Sequence, residues 1–140
     1  MPFEITTQGG IFRARLFGVV TGEDLVRFAA EIGTLEDAAP ETMDRVTDIT
    51  ETESFDINYS DVLALAIQRR ARRFDRPVRS ALVARQPVAV GFARMFQTLN
   101  DNPQIEIRIV ESAEAALAWL AGRAADERAS DERAAREEDG

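Results

Sequence analysis

The 140-residue sequence contains no cysteine, no histidine and no lysine. Without thiols or imidazoles it has no disulfide framework, no Cys–His or Ser–His nucleophilic centre, and none of the usual ligand sets for zinc, haem or iron–sulfur clusters. Without lysine, a Ser–Lys dyad is also excluded. Neither a Gly-Lys-Ser/Thr sequence nor a Gly-x-Gly-x-x-Gly sequence occurs, so the chain lacks the loops that cradle nucleoside triphosphates and dinucleotides. No cofactor and no metal are expected. No apolar run approaches the ~18 residues of a membrane span. Met1, Pro2, Phe3 and Glu4 do not form a basic region leading an apolar stretch, so the sequence predicts a cytoplasmic protein. What remains is 45% hydrophobic with a formal charge of −8. That composition and length suit one soluble domain with its own core.

Charge is unevenly distributed. Between Glu31 and Asp61 the chain carries Glu36, Asp37, Glu41, Asp44, Asp48, Glu51, Glu53 and Asp56, with Arg45 as the lone base. The sign then reverses through Arg69, Arg70, Arg72, Arg73, Arg76, Arg79 and Arg85, against the single acid Asp75. The nearest partner for this basic cluster is the protein's own acidic segment. Nucleic acid is a poor partner, because the chain is acidic overall and no aromatic residues interleave with the arginines as a stacking surface.

Periodicity gives the order of elements. Residues 3–7 and 12–17 read as strands, the second alternating Phe12, Ala14 and Leu16 with Arg13 and Arg15, and Gly9-Gly10 marks the hairpin turn between them. Thr21 with Asp24 three positions on opens a helix whose inner face is Leu25, Phe28, Ala29, Ile32 and Leu35. Residues 45–49 form a short strand, followed by a polar loop over residues 50–58. Ser60 stands where a cap belongs for a helix buried through Leu63, Ala66, Ile67, Ala71 and Phe74, with the arginines outside and Pro77 as its stop. Residues 78–84 lack clean alternation, as in a central strand covered on both faces. Pro87 opens a third helix, Ile105, Ile107 and Ile109 form a last strand, and Ser112 caps a fourth helix that Gly122 should end in the left-handed conformation. The result is an α/β fold with a mixed five-stranded sheet: an N-terminal hairpin, then alternating helices and strands. Residues 1–121 form the domain, and residues 122–140, rich in Ala, Arg and Glu, read as an acidic tail, solvated or a fraying helix.

Ligands of such sheets collect beyond the carboxyl ends of parallel strands, which directs attention to residues 48–60 and 86–94. Asp48 ends an inner strand, and Asp44, four residues earlier, shares its face, yet no third ligand stands at a recognisable spacing. Arg85, Gly91 and Arg94 flank a helix start whose amides can hold an anion. Ser60 is a candidate phosphosite at a helix start, with plain capping as its alternative. Phe92, Met95 and Phe96 either line an apolar pocket or belong to the core. Trp119 is either an interface anchor, which would favour a homodimer, or a core-edge aromatic.

Four segments carry a family resemblance: Leu16-Phe17-Gly18-Val19-Val20-Thr21-Gly22-Glu23-Asp24, Arg45-Val46-Thr47-Asp48-Ile49, Val90-Gly91-Phe92-Ala93-Arg94-Met95-Phe96 and Glu114-Ala115-Ala116-Leu117-Ala118-Trp119-Leu120. With them the chain resembles the SpoIIAA-like proteins, relatives of the STAS and Sec14 (CRAL-TRIO) folds, over roughly residues 3–121. The resemblance implies a non-catalytic regulatory or protein-binding module of the bacterial cytoplasm. Its alternatives are a carrier of a small hydrophobic ligand and, third, an enzyme using Asp48 and Arg94. Anti-sigma-factor antagonists of that group carry an Asp-Ser-Ser-Gly-like segment with a phosphorylated serine. The matching place here reads Asp56-Ile57-Asn58-Tyr59-Ser60-Asp61, which keeps a serine but not its serine and glycine neighbours.

Overall fold

The computed structural model describes residues 2–122; the acidic tail beyond them lies outside the described residues. β1 (Phe3–Gln8) and β2 (Ile11–Thr21) form the hairpin, paired from Phe3↔Leu16 to Gln8↔Ile11. Its turn uses Gly9 and Gly10 at φ 58° and 75°, where a side chain would be strained. α1 (Gly22–Ala38) starts at a complete capping box: the Thr21 hydroxyl accepts from Asp24 N at 3.2 Å, and the Asp24 carboxylate accepts from Thr21 N at 2.8 Å. β3 (Asp44–Asp56), α2 (Tyr59–Arg70), β4 (Val78–Val83), α3 (Pro87–Leu99) and β5 (Ile105–Val110) follow, and a last helix, α4, spans residues 113–122.

The five strands lie in chain order, β1-β2-β3-β4-β5, with the first pair antiparallel and the others parallel. Because every parallel crossover steps the same way, right-handed connections put α1, α2 and α3 on one face of the sheet. That face carries Phe3, Leu16, Val20 and Ile49, packed against Leu25 of α1 and Ala89 of α3. α4 leaves the last strand and folds over the opposite face, where Ala116 and Leu120 meet Val46, Ala81 and Val83. β4 is therefore covered on both sides, which accounts for its unbroken apolar character.

Four local expectations are corrected. Residues 50–56 are not a loop: β3 continues to Asp56, pairing with β2 alone after its β4 register ends at Asp48↔Val83. The long β2 offers ladder partners over its whole length, and Thr50, Thr52 and Phe55 suit a strand. α2 is capped by Asn58 rather than Ser60, through Asn58 Oδ1 accepting from Asp61 N at 3.0 Å and Asp61 Oδ2 accepting from Asn58 N at 2.9 Å. Its inner stripe is Val62, Ala66 and Arg69, leaving Ile67 47% exposed, and the helix ends at Arg70, short of Phe74. Gly122 is helical, and its φ is not in the left-handed region.

The two helix starts touch. A Cβ on Gly22 would stand 2.5–2.8 Å from the Asp61 carboxylate, the group that caps α2. Gly22→Ala is therefore expected to cost about 1–2 kcal/mol by displacing that cap. Urea unfolding of Gly22→Ala, Asp61→Ala and the double variant should give a total well below the sum of the single effects, whereas strict additivity would show the contact to be without consequence.

Candidate functional site

The three helices on the first face run back against the strands, so each brings its early residues over the carboxyl ends of the sheet and its last turn over the amino ends. The space they enclose is a cavity of about 100 Å³. Toward the carboxyl end it is walled by Phe28 of α1, Leu65 of α2, Phe92 of α3, Phe55 at the end of β3 and Ile57 beyond it. All five are half-buried, and the Phe55 and Phe92 rings meet at a tilt of 49° with centroids 5.3 Å apart. Toward the amino end the lining turns polar and closed: Arg45, Arg69, Ser80 and Asn100 are 6%, 4%, 4% and 7% exposed. Thr47 stands between the two ends on β3.

At this foot an ion cluster joins three elements. The Glu36 carboxylate of α1 takes a bidentate bond from Arg69 of α2, at 2.8 Å to each oxygen, and a third bond from Arg45 of β3 at 3.1 Å. Arg72 approaches the same carboxylate at 3.6 Å and also pairs with the exposed Asp37. Burial alone would raise the Glu36 carboxyl. The Arg69 bond and the charges of Arg45, Arg69 and Arg72 outweigh it and hold the group below its ordinary value of 4.5. Burial, reinforced by the nearby charge of Arg69, lowers Arg45 to about 9 against the pull of Glu36, so it remains a cation at neutral pH. Around the foot, Arg45 Nε, Arg72 Nε and both the nitrogen and the oxygen of the Asn100 side-chain amide make no hydrogen bond.

No protein-family model and no curated protein matches the sequence. Among solved structures, an uncharacterized protein of the DUF3478 family with a SpoIIAA-like fold, from Shewanella loihica PV-4, is similar with a TM-score of 0.56. The match covers 84% of this chain and 91% of that one at 18% identity. The fold is SpoIIAA-like. At such identity the likeness is one of architecture, and what the site does must come from its own residues.

Within this SpoIIAA-like fold the expected residues scatter. Phe92 and Phe96 line the cavity on one face of α3, whereas Met95, half-buried on the same helix, is not among its lining residues. Asp48 lies on the α4 face of the sheet, because strand alternation sends Arg45, Thr47 and Ile49 to the cavity face and Val46 and Asp48 to the other. Its carboxylate accepts from Thr50 N at 2.9 Å and from the Thr50 hydroxyl at 2.6 Å, a local turn beside a register shift. Arg94 belongs to α3 on the cavity side and is exposed, so an Asp48–Arg94 pair is not assembled. Asp44 faces away from the cavity with Asp48, but it is buried and accepts from Arg79 N at 2.9 Å. Among the described residues no three acidic groups converge on a metal position. Ser60 is the second residue of α2 and exposed, and Arg85 and Gly91 are also exposed around the start of α3. Trp119 is half-buried between Arg79 and Arg108, whose guanidinium carbons lie 5.0 and 5.8 Å from its ring centre. No helix among the described residues is long and apolar enough to cross a membrane.

The polar foot was not foreseen. Its signals were an arginine, Arg45, beginning a β-branched strand in phase with Thr47 and Ile49, and Arg69 in phase with Val62 and Ala66. The acidic and basic segments do pair with each other, as the charge pattern implied, but they do so partly inside the protein.

Because the folded Glu36 carboxyl sits below its ordinary value, its contribution to stability is complete above about pH 4.5 and is lost as pH falls through the lower folded value. Glu36→Gln should cost about 3 kcal/mol near neutral pH by leaving buried guanidinium charge unbalanced. Urea melts from about pH 7 to about pH 3 should show the gap between native and variant closing on the acid side. A gap that is constant across that range would mean the carboxylate charge contributes nothing.

Proposed function

We propose that this protein is a non-catalytic binding module that takes a small, largely apolar ligand into the cavity between its sheet and three helices. The observation that carries this is the half-buried aromatic wall of Phe28, Phe55 and Phe92 opening onto a closed interior. Aromatic and aliphatic walls with a few polar groups at one end are the ordinary composition of small-molecule sites. The volume decides the scale. A dry cavity of ~150 Å³ accommodates benzene, so about 100 Å³ takes a short alkyl chain or part of a ring, with the rest at the mouth. A reaction centre has less support, because Asp48 and Arg94 are separated by the sheet.

A regulatory, protein-binding role draws on a different observation. Val19, Tyr59 and Val88 are 52%, 55% and 62% exposed, and they stand near the end of β2 and at the starts of α2 and α3, toward the same carboxyl end of the sheet as the half-buried aromatic wall. Exposed apolar residues gathered at one end suit a partner surface, so ligand occupancy and partner contact would share one rim.

Titration with 1-octanol, followed by amide chemical shifts, tests the ligand reading. Saturable shifts should centre on Ile49, Phe55, Phe92 and Ala93. Ala93 lines the cavity and is 4% exposed, so Ala93→Leu should fill the space and weaken binding about tenfold or more while the protein stays folded. Linear, non-saturating drift, or unchanged affinity in the variant, would end the proposal.

A further inference from the structure

The foot of the cavity has an imbalance that an apolar ligand alone would not correct. Arg45 and Arg69, with side chains 8% and 5% exposed, share the single carboxylate of Glu36, itself 7% exposed. Arg72 is matched by Asp37, so one buried positive charge is left over. A buried cation without a counter-charge is unfavourable by several kcal/mol, and natural interiors seldom retain one without a purpose. Beside it are donors with nothing to donate to: Arg45 Nε and the Asn100 side-chain nitrogen. Buried polar groups are nearly always satisfied, so a cluster of orphans at the closed end of a cavity calls for a ligand atom.

The structure assigns this foot as a receptor for an anionic head group, and the ligand as a short-chain monocarboxylate amphiphile. This rests on the proposed apolar-ligand reading and specifies its chemistry. The carboxylate would accept from Arg45 and Asn100, with Ser80 and Thr47 adjacent on the wall, and the alkyl chain would extend past Phe96 and Phe92 toward Phe55. Sequence position sets this polarity. Asn100, the C-cap of α3, follows Phe96 and Phe92 at spacings of four, so the end of this helix and its cap carry the whole path from head to tail. An alcohol could offer hydrogen bonds but no charge, and an ammonium would meet guanidinium groups.

The test compares octanoate, 1-octanol and octylammonium on the full chain near neutral pH, by the same amide-shift titration. Octanoate should bind about tenfold or more tightly than 1-octanol, and octylammonium should not saturate. Arg45→Met and Asn100→Leu should each bring the octanoate-to-octanol ratio near one. Asn100→Leu should also melt no lower than the native protein, since it removes two unsatisfied atoms, a result that a purely structural asparagine would not give. If Arg45→Met does not fold, Asn100→Leu decides. Saturable octanol binding with octanoate no tighter would overturn the head-group assignment and leave the apolar cavity standing, with water serving the orphan groups. An unchanged ratio in the Asn100→Leu variant would likewise overturn it. Failure of both octanol and octanoate to saturate would remove the cavity reading itself.

Discussion

One carboxylate, that of Glu36, ties together the last turn of α1, the first residues of β3 and the last turn of α2. The bidentate bond from Arg69 is planar and directional, so it fixes how the two helices lie as well as how close they come. Removing Glu36 leaves two guanidinium charges unbalanced in a closed interior, which makes the cluster more sensitive than an apolar contact of equal size. The rest of the helical layer is set around it: Leu25, Ala29 and Ile32 on α1 and Val62 and Ala66 on α2 occupy the positions that those anchored helices direct inward.

Helix direction then converts this anchor into a graded cavity. All three helices finish over the amino ends of the strands, so the last-turn residues Glu36 and Arg69 and the C-cap residue Asn100 gather at one end. Their apolar residues Phe28, Leu65 and Phe92, nearer the helix starts, gather toward the other. The extension of β3 past its partner β4 closes the upper wall with Phe55, which would lie far from the helices if the chain had turned away at residue 50. The gradient therefore follows from topology together with where each helix changes from apolar to polar.

Much of the architecture was legible in the sequence. The alternation of Phe12, Ala14 and Leu16, the Thr21–Asp24 box, Pro87 at a helix start and the three isoleucines of β5 are local signals, and local signals survive folding. The end of β3 was not legible, because a polar strand paired on one side only has the composition of a loop. The register of α2 was displaced by one residue, because Val62 and Leu63 compete for the inward position and an arginine, Arg69, occupies the inner stripe. Of the site, the apolar half was visible in Phe92 and Phe96, whereas the polar half is assembled from Glu36, Arg45, Arg69, Ser80 and Asn100, which lie on separate elements along the chain.

By itself the sequence determined the inventory: no thiol, imidazole or amine, arginine as the only base, an alternating pattern of strands and helices, and an acidic segment followed by a basic one. Tertiary structure alone decided which of those charges would be withdrawn from water. Periodicity records which face a residue occupies on its own element but carries no information about what stands opposite, and burial of Arg45 and Arg69 depends on a carboxylate supplied by another helix. Pairing across elements, set by crossover direction and sheet order, is what turned a polar residue on a strand and another on a helix into the closed end of a cavity.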